Sequence, residues 1–303
     1  MSDATPVLNP ATLAARGPSD TALATATMRA LAAHDPREGV AGPDYLAEFF
    51  LTEEQKAPLT NPAARDWVMK NKVTPGAYEF MIARTAFFDH VVLEALGKHL
   101  PQLVLLGAGY DSRPYRFSDQ LGGCMAFELD ASATQLRKKE MLERGGVHIP
   151  NNVRFVAVDF ATDQLEERLL EAGFSREERA LFVWEGVTYY LSAEAVDGVL
   201  AAVRSVSLTG SSICFDFASL SREALGEESI KKLREQMKTT QAAEPAKFGI
   251  PKGALEGFLS ARGFSILEAL GPSDLEARYL TLKDGSVLGK VPALFSLVHA
   301  AVA

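Results

Sequence analysis

Two hydrophobic rhythms share this chain, and one gives way to the other near Lys98. Before that point, apolar residues recur at helical spacing. Phe80, Ala83, Phe87, Val91 and Ala95 mark one stripe, which predicts a helix over residues 76–98. Residues 21–33 are rich in strong helix formers, with Ser19 and Asp20 available as caps, and predict another. Pro36, Gly39, Gly42 and Pro43 break the chain before Tyr45-Leu-Ala-Glu-Phe-Phe-Leu. From Gln102 onward, short apolar runs alternate with helical stretches. Leu103–Leu106, Cys124–Leu129, Val153–Val158, Ala180–Trp184 and Ser212–Phe217 are each long enough for a strand and apolar on both faces, as parallel strands covered by helices are. Residues 132–143 and 193–205 suit crossover helices.

Repeated strand–helix–strand units imply an α/β fold with a doubly wound, mostly parallel sheet. The runs Phe264–Leu270 and Ala293–His299 bring the expected strands to seven. The pattern divides the chain into an N-terminal helical cover with the first core helix, residues 1–98, and an α/β core, residues 99–303. Residues 231–247 are polar and loosely patterned and read as a mobile insertion near the site.

Composition narrows the function classes. Apolar residues make up 47% of the 303 positions and charged ones 23%, an ordinary globular balance. The formal charge of −8 disfavours nucleic acid and anionic membrane surfaces as partners, since both attract a basic protein. The first residues lack a secretory pattern, and no apolar run approaches the ~20 residues of a membrane span, so a cytoplasmic setting is expected. Cys124 and Cys214 lie within strand-like runs and read as buried thiols, and the five histidines form no pair at ligand spacing, so no metal is expected.

The chemistry gathers at the strand ends, where open α/β sheets bind their ligands. The first strand runs into Gly107-Ala108-Gly109-Tyr-Asp-Ser-Arg-Pro, whose glycines allow a sharp turn and a close ligand. Asp111 or Ser112 can cap the helix that follows, with Pro114 in its first turn. The second strand ends at Asp130, about where nucleotide-binding folds hold ribose hydroxyls, although a solvated helix cap is the alternative. Asp159 and Phe160 end the third strand, where Asp159 can accept from an adenine amine beside the Phe160 ring or cap a helix. Glu185 and Gly186 end the fourth. Two cofactors suit such a set, a nicotinamide dinucleotide and S-adenosylmethionine. A dinucleotide sets its pyrophosphate on the helix N-terminus and usually has a third glycine; Ser112 stands there instead, after the opposing charge of Asp111. A sulfonium gains from acids around it, which favours the methyl donor.

At these residues the chain resembles the leucine carboxyl methyltransferase-like family, in its bacterial S-adenosylmethionine-dependent branch. The matching stretches are Ala83-Arg-Thr-Ala-Phe-Phe-Asp, Leu105-Leu-Gly-Ala-Gly-Tyr-Asp-Ser-Arg-Pro-Tyr-Arg, Glu128-Leu-Asp, Val158-Asp and Trp184-Glu-Gly-Val-Thr-Tyr-Tyr-Leu, with Asp20-Thr-Ala-Leu and Asp44-Tyr-Leu-Ala-Glu upstream. The resemblance implies a class I methyltransferase, Rossmann-like core. It implies that Arg84 pairs with the methionine carboxylate of S-adenosylmethionine, a residue that otherwise reads as a surface helical arginine. It also sets Gly107, Ala108 and Gly109 against the methionine and ribose, Asp130 on the ribose, Asp159 and Phe160 at the adenine, and Glu185 and Gly186 near the amino group. Phe160, where an aliphatic residue is usual, and Thr188-Tyr189, where the pair is commonly apolar, depart from the pattern.

No histidine falls at the four strand ends, so no general base is evident. A carboxylate acceptor, already ionised at neutral pH, needs none, whereas a phenol with pKa ~10 does. The expected reaction is O-methylation of a carboxylate, or a hydroxyl, on a small organic acid or secondary metabolite. Tyr45, Phe49, Phe50, Trp67, Tyr78, Tyr189 and Tyr190 are candidates to line the acceptor pocket, although aromatics at such spacing often belong to the core. The rival readings are a nicotinamide-dependent oxidoreductase and a non-catalytic S-adenosylmethionine-binding protein.

Overall fold

The computed structural model describes residues 20–40, 44–160, 162–220 and 247–303. Ser19, Gly42, Pro43 and residues 231–246, read above as a cap, two breakers and a polar insertion, lie outside the described residues.

Among the described residues, four helices precede the sheet: α1 (Asp20–Ala33), α2 (Glu53–Thr60), α3 (Pro62–Asn71) and α4 (Ala77–Gly97). Between α1 and α2, the run beginning at Tyr45 forms only a single 3-10 turn, Ala47–Phe50. Thr52 and Gln55 close a reciprocal capping box on α2. Asn61 caps α3, with Pro62 in its first turn, where a missing N–H leaves nothing unpaired. The core follows as β1 (Gln102–Leu106), α5 (Arg113–Arg116), α6 (Ser118–Leu121), β2 (Met125–Asp130), α7 (Ser132–Arg144), β3 (Val153–Ala157), α8 (Leu165–Glu171), β4 (Ala180–Trp184), α9 (Ala193–Val206) and β5 (Ser212–Leu220). After these come β6 (Ile250–Pro251), α10 (Leu255–Ser260), β7 (Phe264–Leu270), α11 (Pro272–Tyr279) and β8 (Phe295–Val302).

The sheet order is β3-β2-β1-β4-β5-β8-β7. Strands β1 to β5 pair in parallel, while β8 runs antiparallel to both neighbours. The expected seven strands form this path. An eighth, the two-residue β6, pairs with the far end of β5 and is too short to leave a periodic signal in the sequence.

Alternate positions along each strand face opposite layers. Val104, Phe127, Phe182, Trp184 and Phe215 pack with Leu200 and Val203 of α9. Leu103, Leu105, Val183 and Cys214 pack with Phe87, Phe88 and Val92 of α4. Helix α4 is buried at 14 of its 21 positions and packs on β4, β5, β8, α1 and α11. It is therefore a central helix rather than a surface one, and that corrects the reading of Arg84 as a surface arginine: the residue is 3% exposed. Both cysteines are free and buried, and burial pushes the Cys124 thiol up to about 12. No described helix is long and apolar enough to cross a membrane, and no group of three or more potential metal ligands occurs among the described residues.

Candidate functional site

Strand order reverses between β1 and β4, so their carboxyl ends flank the crevice in which such sheets bind ligands. The chain leaves β1 through Gly107 and Gly109, both in the left-handed region with φ of 70° and 45°. The amides of Gly107 and Ala108 donate to the Leu129 carbonyl, each at 2.9 Å, which pins the turn against the end of β2. A Cβ on Gly107 would lie 2.7 Å from Val187 Cγ2, in the loop after β4; one on Gly109 would lie 3.3 Å from Ala22 Cβ on α1. The glycine turn therefore sits between the two strand ends and directly under the cover.

Asp130 closes β2. Its Oδ2 accepts from the Gly109 amide at 2.6 Å and its Oδ1 from the Ala131 amide at 2.7 Å. Burial raises its pKa against the pull of those two donors. Next to it in the sheet, where Asp130 pairs with Ala157, the third strand leads to Asp159 and Phe160. The Asp159 amide donates to Asp163 Oδ2 at 2.9 Å, and the half-buried Phe160 ring packs on the core face that holds Trp184.

At the end of β4, Glu185 joins two arginines: Arg84 Nε at 2.9 Å and Arg113 Nη1 at 2.7 Å. Arg113 also meets Asp89 (2.8 Å) and Asp111 (2.5 Å), and Arg116 meets Asp89 (2.8 Å) and Asp44 (3.3 Å). Asp44 takes Arg29 Nε at 2.9 Å, and Arg29 Nη2 donates to the Tyr110 carbonyl at 2.6 Å. On the far side, Arg84 Nη1 reaches Asp216 Oδ2 on β5 at 3.1 Å. A continuous lattice of four guanidinium groups and five carboxylates thus runs from α1 to β5. Burial alone would raise Glu185, but Arg113 and Arg84 outweigh it and hold the carboxylate low. The same balance, with Arg113 as main partner, lowers Asp111. Burial raises Asp216 in spite of Arg84, and burial together with the Asp216 charge pushes the Tyr189 phenol well above its usual range.

The structure brings Arg84, Glu185 and Gly186 together, and places Gly107, Ala108, Gly109 and Asp130 in a second group joined to the first through Val187. Tyr189 is buried beside Asp216, and the Tyr190 ring lies 4.9 Å from it edge to face. Tyr45 and Trp67 stand apart, 57% and 55% exposed, with Lys72 Nζ 5.6 Å from the Trp67 ring. Phe50 stacks on Tyr110 at 5.1 Å, and the Tyr78 hydroxyl donates to Asp35 at 2.7 Å, so both are core residues of the cover. The Ser112 hydroxyl, a candidate cap for α5, instead donates to Asp44 at 2.6 Å, while Asp111 does accept from the Arg113 amide at 2.8 Å. The residues that sequence reasoning missed are Arg29, Asp89, Arg113, Arg116 and Asp216. Arg29, Asp89, Arg116 and Asp216 are charged within or beside apolar residues, as in Phe-Phe-Asp89 and Phe-Asp216-Phe, and that was the available signal; Arg113, in Asp-Ser-Arg-Pro, carried none of this kind.

The sequence profile of the leucine carboxyl methyltransferase family matches residues 22–204. The chain belongs to this family. A Bacillus subtilis relative, YktD, named provisionally as an S-adenosyl-L-methionine-dependent methyltransferase, is 30% identical over 75% of this chain and 73% of its own length. A Parafrankia relative with the same kind of name is 31% identical over 82% of this chain and 77% of its own. The crystal structure of a Thermobifida fusca protein, titled provisionally as a methyltransferase, superposes with a TM-score of 0.58 over 98% of this chain and 99% of that one, at 16% identity, and shows the shared fold. The family is one of S-adenosylmethionine-dependent methyltransferases on a class I α/β core, and the present member is an enzyme of that class. Its strand ends fit the cofactor. Two glycines lie where a Cβ would fill the turn, a partly exposed carboxylate lies beside them, and one more carboxylate than guanidinium stands in the lattice, which suits a ligand carrying sulfonium and ammonium charges.

Proposed function

We propose that this family member is an O-methyltransferase for the carboxylate of a small organic acid or secondary metabolite. S-adenosylmethionine supplies an electrophilic methyl carbon on its sulfonium. The chain's own residues bind and orient it. Asp130 accepts the ribose hydroxyls, Asp159 and Phe160 meet the adenine, and the Gly107–Gly109 backbone lies against the methionine and ribose. Glu185 and Gly186 face the amino group, and Arg84 takes the carboxylate through Nη2, whose partner here is the weakly accepting Met81 Sδ at 3.3 Å. Transfer then requires the acceptor oxygen in line with the methyl carbon and water kept out.

One observation carries the carboxylate reading. The phenol nearest the centre of the site, Tyr189, donates to Asp216 at 2.9 Å and is held protonated, so it offers no base to an acceptor hydroxyl. An acceptor that arrives ionised needs none. In this reading Tyr189 and Tyr190 border the acceptor, whereas Tyr45 and Trp67, exposed on the cover, would need the acceptor to extend to the surface. A small-molecule partner in the cytoplasm, with cover and core acting as one unit, agrees with the −8 charge and the burial of α4 between them.

The test has two parts. Thermal shift with S-adenosylmethionine, S-adenosylhomocysteine and a nicotinamide dinucleotide is expected to respond to the first two alone. At about one hundred times the dissociation constant the stabilisation is ~2.7 kcal/mol, and Asp130→Ala removes most of it; an undiminished shift in that variant overturns the ribose assignment. Methyl transfer to a panel of organic acids is then read by the alkaline lability of the product. A methyl ester hydrolyses in base. A base-stable ether rejects the carboxylate reading, and cofactor binding with no S-adenosylhomocysteine from any acceptor favours a non-catalytic binder.

A further inference from the structure

Asp216 lies in the middle of a buried strand, where a carboxylate is costly unless its partners repay the desolvation. It is fully buried on β5, one residue past Phe215, the partner of Trp184, and so stands beside the Glu185–Gly186 turn. The strong contacts of its carboxylate go to that turn, to Tyr189 just after it and to Arg84. Oδ1 accepts the Gly186 amide at 2.6 Å; Oδ2 accepts Arg84 Nη1 at 3.1 Å and the Tyr189 hydroxyl at 2.9 Å. The Tyr189 oxygen in turn accepts from Arg84 Nη1 at 3.1 Å, which closes a triangle. The Thr188 hydroxyl donates to the Asp216 carbonyl at 2.5 Å and fixes the same turn to the strand.

Gly186 has a φ of 74°, and a Cβ there would approach Arg84 Nη1 to 3.2 Å, so turn and guanidinium are packed to contact. Nη1 is held by Asp216 and Tyr189, Nε lies 2.9 Å from Glu185 as an ion pair without hydrogen-bond geometry, and Nη2 has only the weak acceptor Met81 Sδ, so Asp216 is the carboxylate that hydrogen-bonds the guanidinium and sets its orientation. A fixed fork presents its remaining donors at one angle, which is what recognition of a carboxylate needs.

We propose that Asp216 is a positioning residue for the methyl donor: by accepting from Arg84 Nη1 and from the Gly186 amide, it orients the Arg84 guanidinium and the Glu185–Gly186 turn relative to the amino-acid end of the cofactor. This rests on the reading that Arg84 binds the donor's carboxylate. Asp216 does not itself touch the cofactor or the reacting atoms.

The test compares two ligands that share the adenosine part and differ at the amino-acid end, S-adenosylhomocysteine and 5′-methylthioadenosine, by calorimetry on the full chain. In Asp216→Asn, the amide keeps the shape but loses the charge and an acceptor. Affinity for S-adenosylhomocysteine is expected to fall at least tenfold, with methylthioadenosine changed less than twofold and the KM for S-adenosylmethionine rising more than kcat falls. A purely structural role weakens both ligands alike, and that result overturns the proposal, as does an unchanged ratio. Should Asp216→Asn fail to fold, Tyr189→Phe removes one corner of the triangle and is expected to lower the same ratio about threefold; no change in the ratio overturns the proposal there too. Arg84→Lys separates this inference from the reading beneath it. If Arg84→Lys leaves the ratio of the two affinities intact, the carboxylate assignment fails. If it collapses the ratio and Asp216→Asn does not, only the role of Asp216 fails.

Discussion

Gly107 has two reasons to be glycine, and they can be separated. Its φ of 70° is a conformation that costs an L-residue about 1–2 kcal/mol, and Val187 Cγ2 occupies the place of a side chain. Gly107→Ala is expected to lower stability by that amount plus about 1–3 kcal/mol of overpacking, read as a shift in the urea midpoint. Adding Val187→Ala relieves the second part and leaves the first. The glycines and acids at the strand ends were legible in the sequence because a motif announces them. The lattice around Glu185 was not: whether Arg113 is solvated or clamped between Asp89, Asp111 and Glu185 depends on residues 24 and 72 positions away that only the fold brings together. Arg84 shows the same limit, since one helical stripe is visible in the sequence but the sheet, α1 and α11 that cover the other sides are not.

Elements are held together by a few buried polar contacts as well as by apolar faces. Glu128 on β2 meets Lys138 Nζ on α7 at 2.7 Å and the Tyr115 hydroxyl on α5 at 2.8 Å, with all three buried. Removing one charge strands the other, so Lys138→Met is expected to cost about 3–5 kcal/mol. Glu128→Gln combined with Lys138→Met leaves a neutral amide for Tyr115 and is expected to recover much of the loss, a coupling that a double-mutant cycle measures. Strand positions were read from the sequence to within three residues at either end, because parallel strands are continuous apolar runs. Helices α2 and α3 fall in the stretch expected to be helical cover, but neither was placed individually. No residue of α3 is buried and only Pro58 of α2 is, so neither shows an apolar stripe, and only the caps Thr52 and Asn61 marked them.

Acid stability belongs to the molecule as a whole, and Asp35 is placed to affect it. This residue follows α1 and ties the cover together, meeting Arg37 (2.7 Å), Arg65 of α3 (3.2 Å) and the Tyr78 hydroxyl of α4 (2.7 Å). Burial would raise its carboxyl, but hydrogen bonds from Arg37 and Tyr78 prevail and hold it at about 2, below the ordinary 3.8. A depressed carboxylate adds stability above its unfolded pKa and loses it as pH falls through the folded one. That window is pH 3.8 down to about 2. Asp35→Asn is expected to remove about 1–2 kcal/mol at neutral pH, after allowance for the half-exposed Arg37, and to flatten the urea midpoint across the window. At this scale the sequence foretold the layered sheet and the seven strands of its main path, while the two-residue β6 and the order of strands came only with the structure.

That order has a consequence for synthesis. Strand β8 follows β7 in the chain but lies between it and β5, so 82 residues must emerge after Leu220 before Val302 completes the sheet. At ribosomal speeds of ~5–20 residues per second, that leaves the edge of β5, apolar on both faces, bare for about 4–16 s on every nascent chain. An open template of that kind attracts other strands, and chaperone occupancy during translation is expected to peak in this interval and fall once residues 295–302 have cleared the exit tunnel.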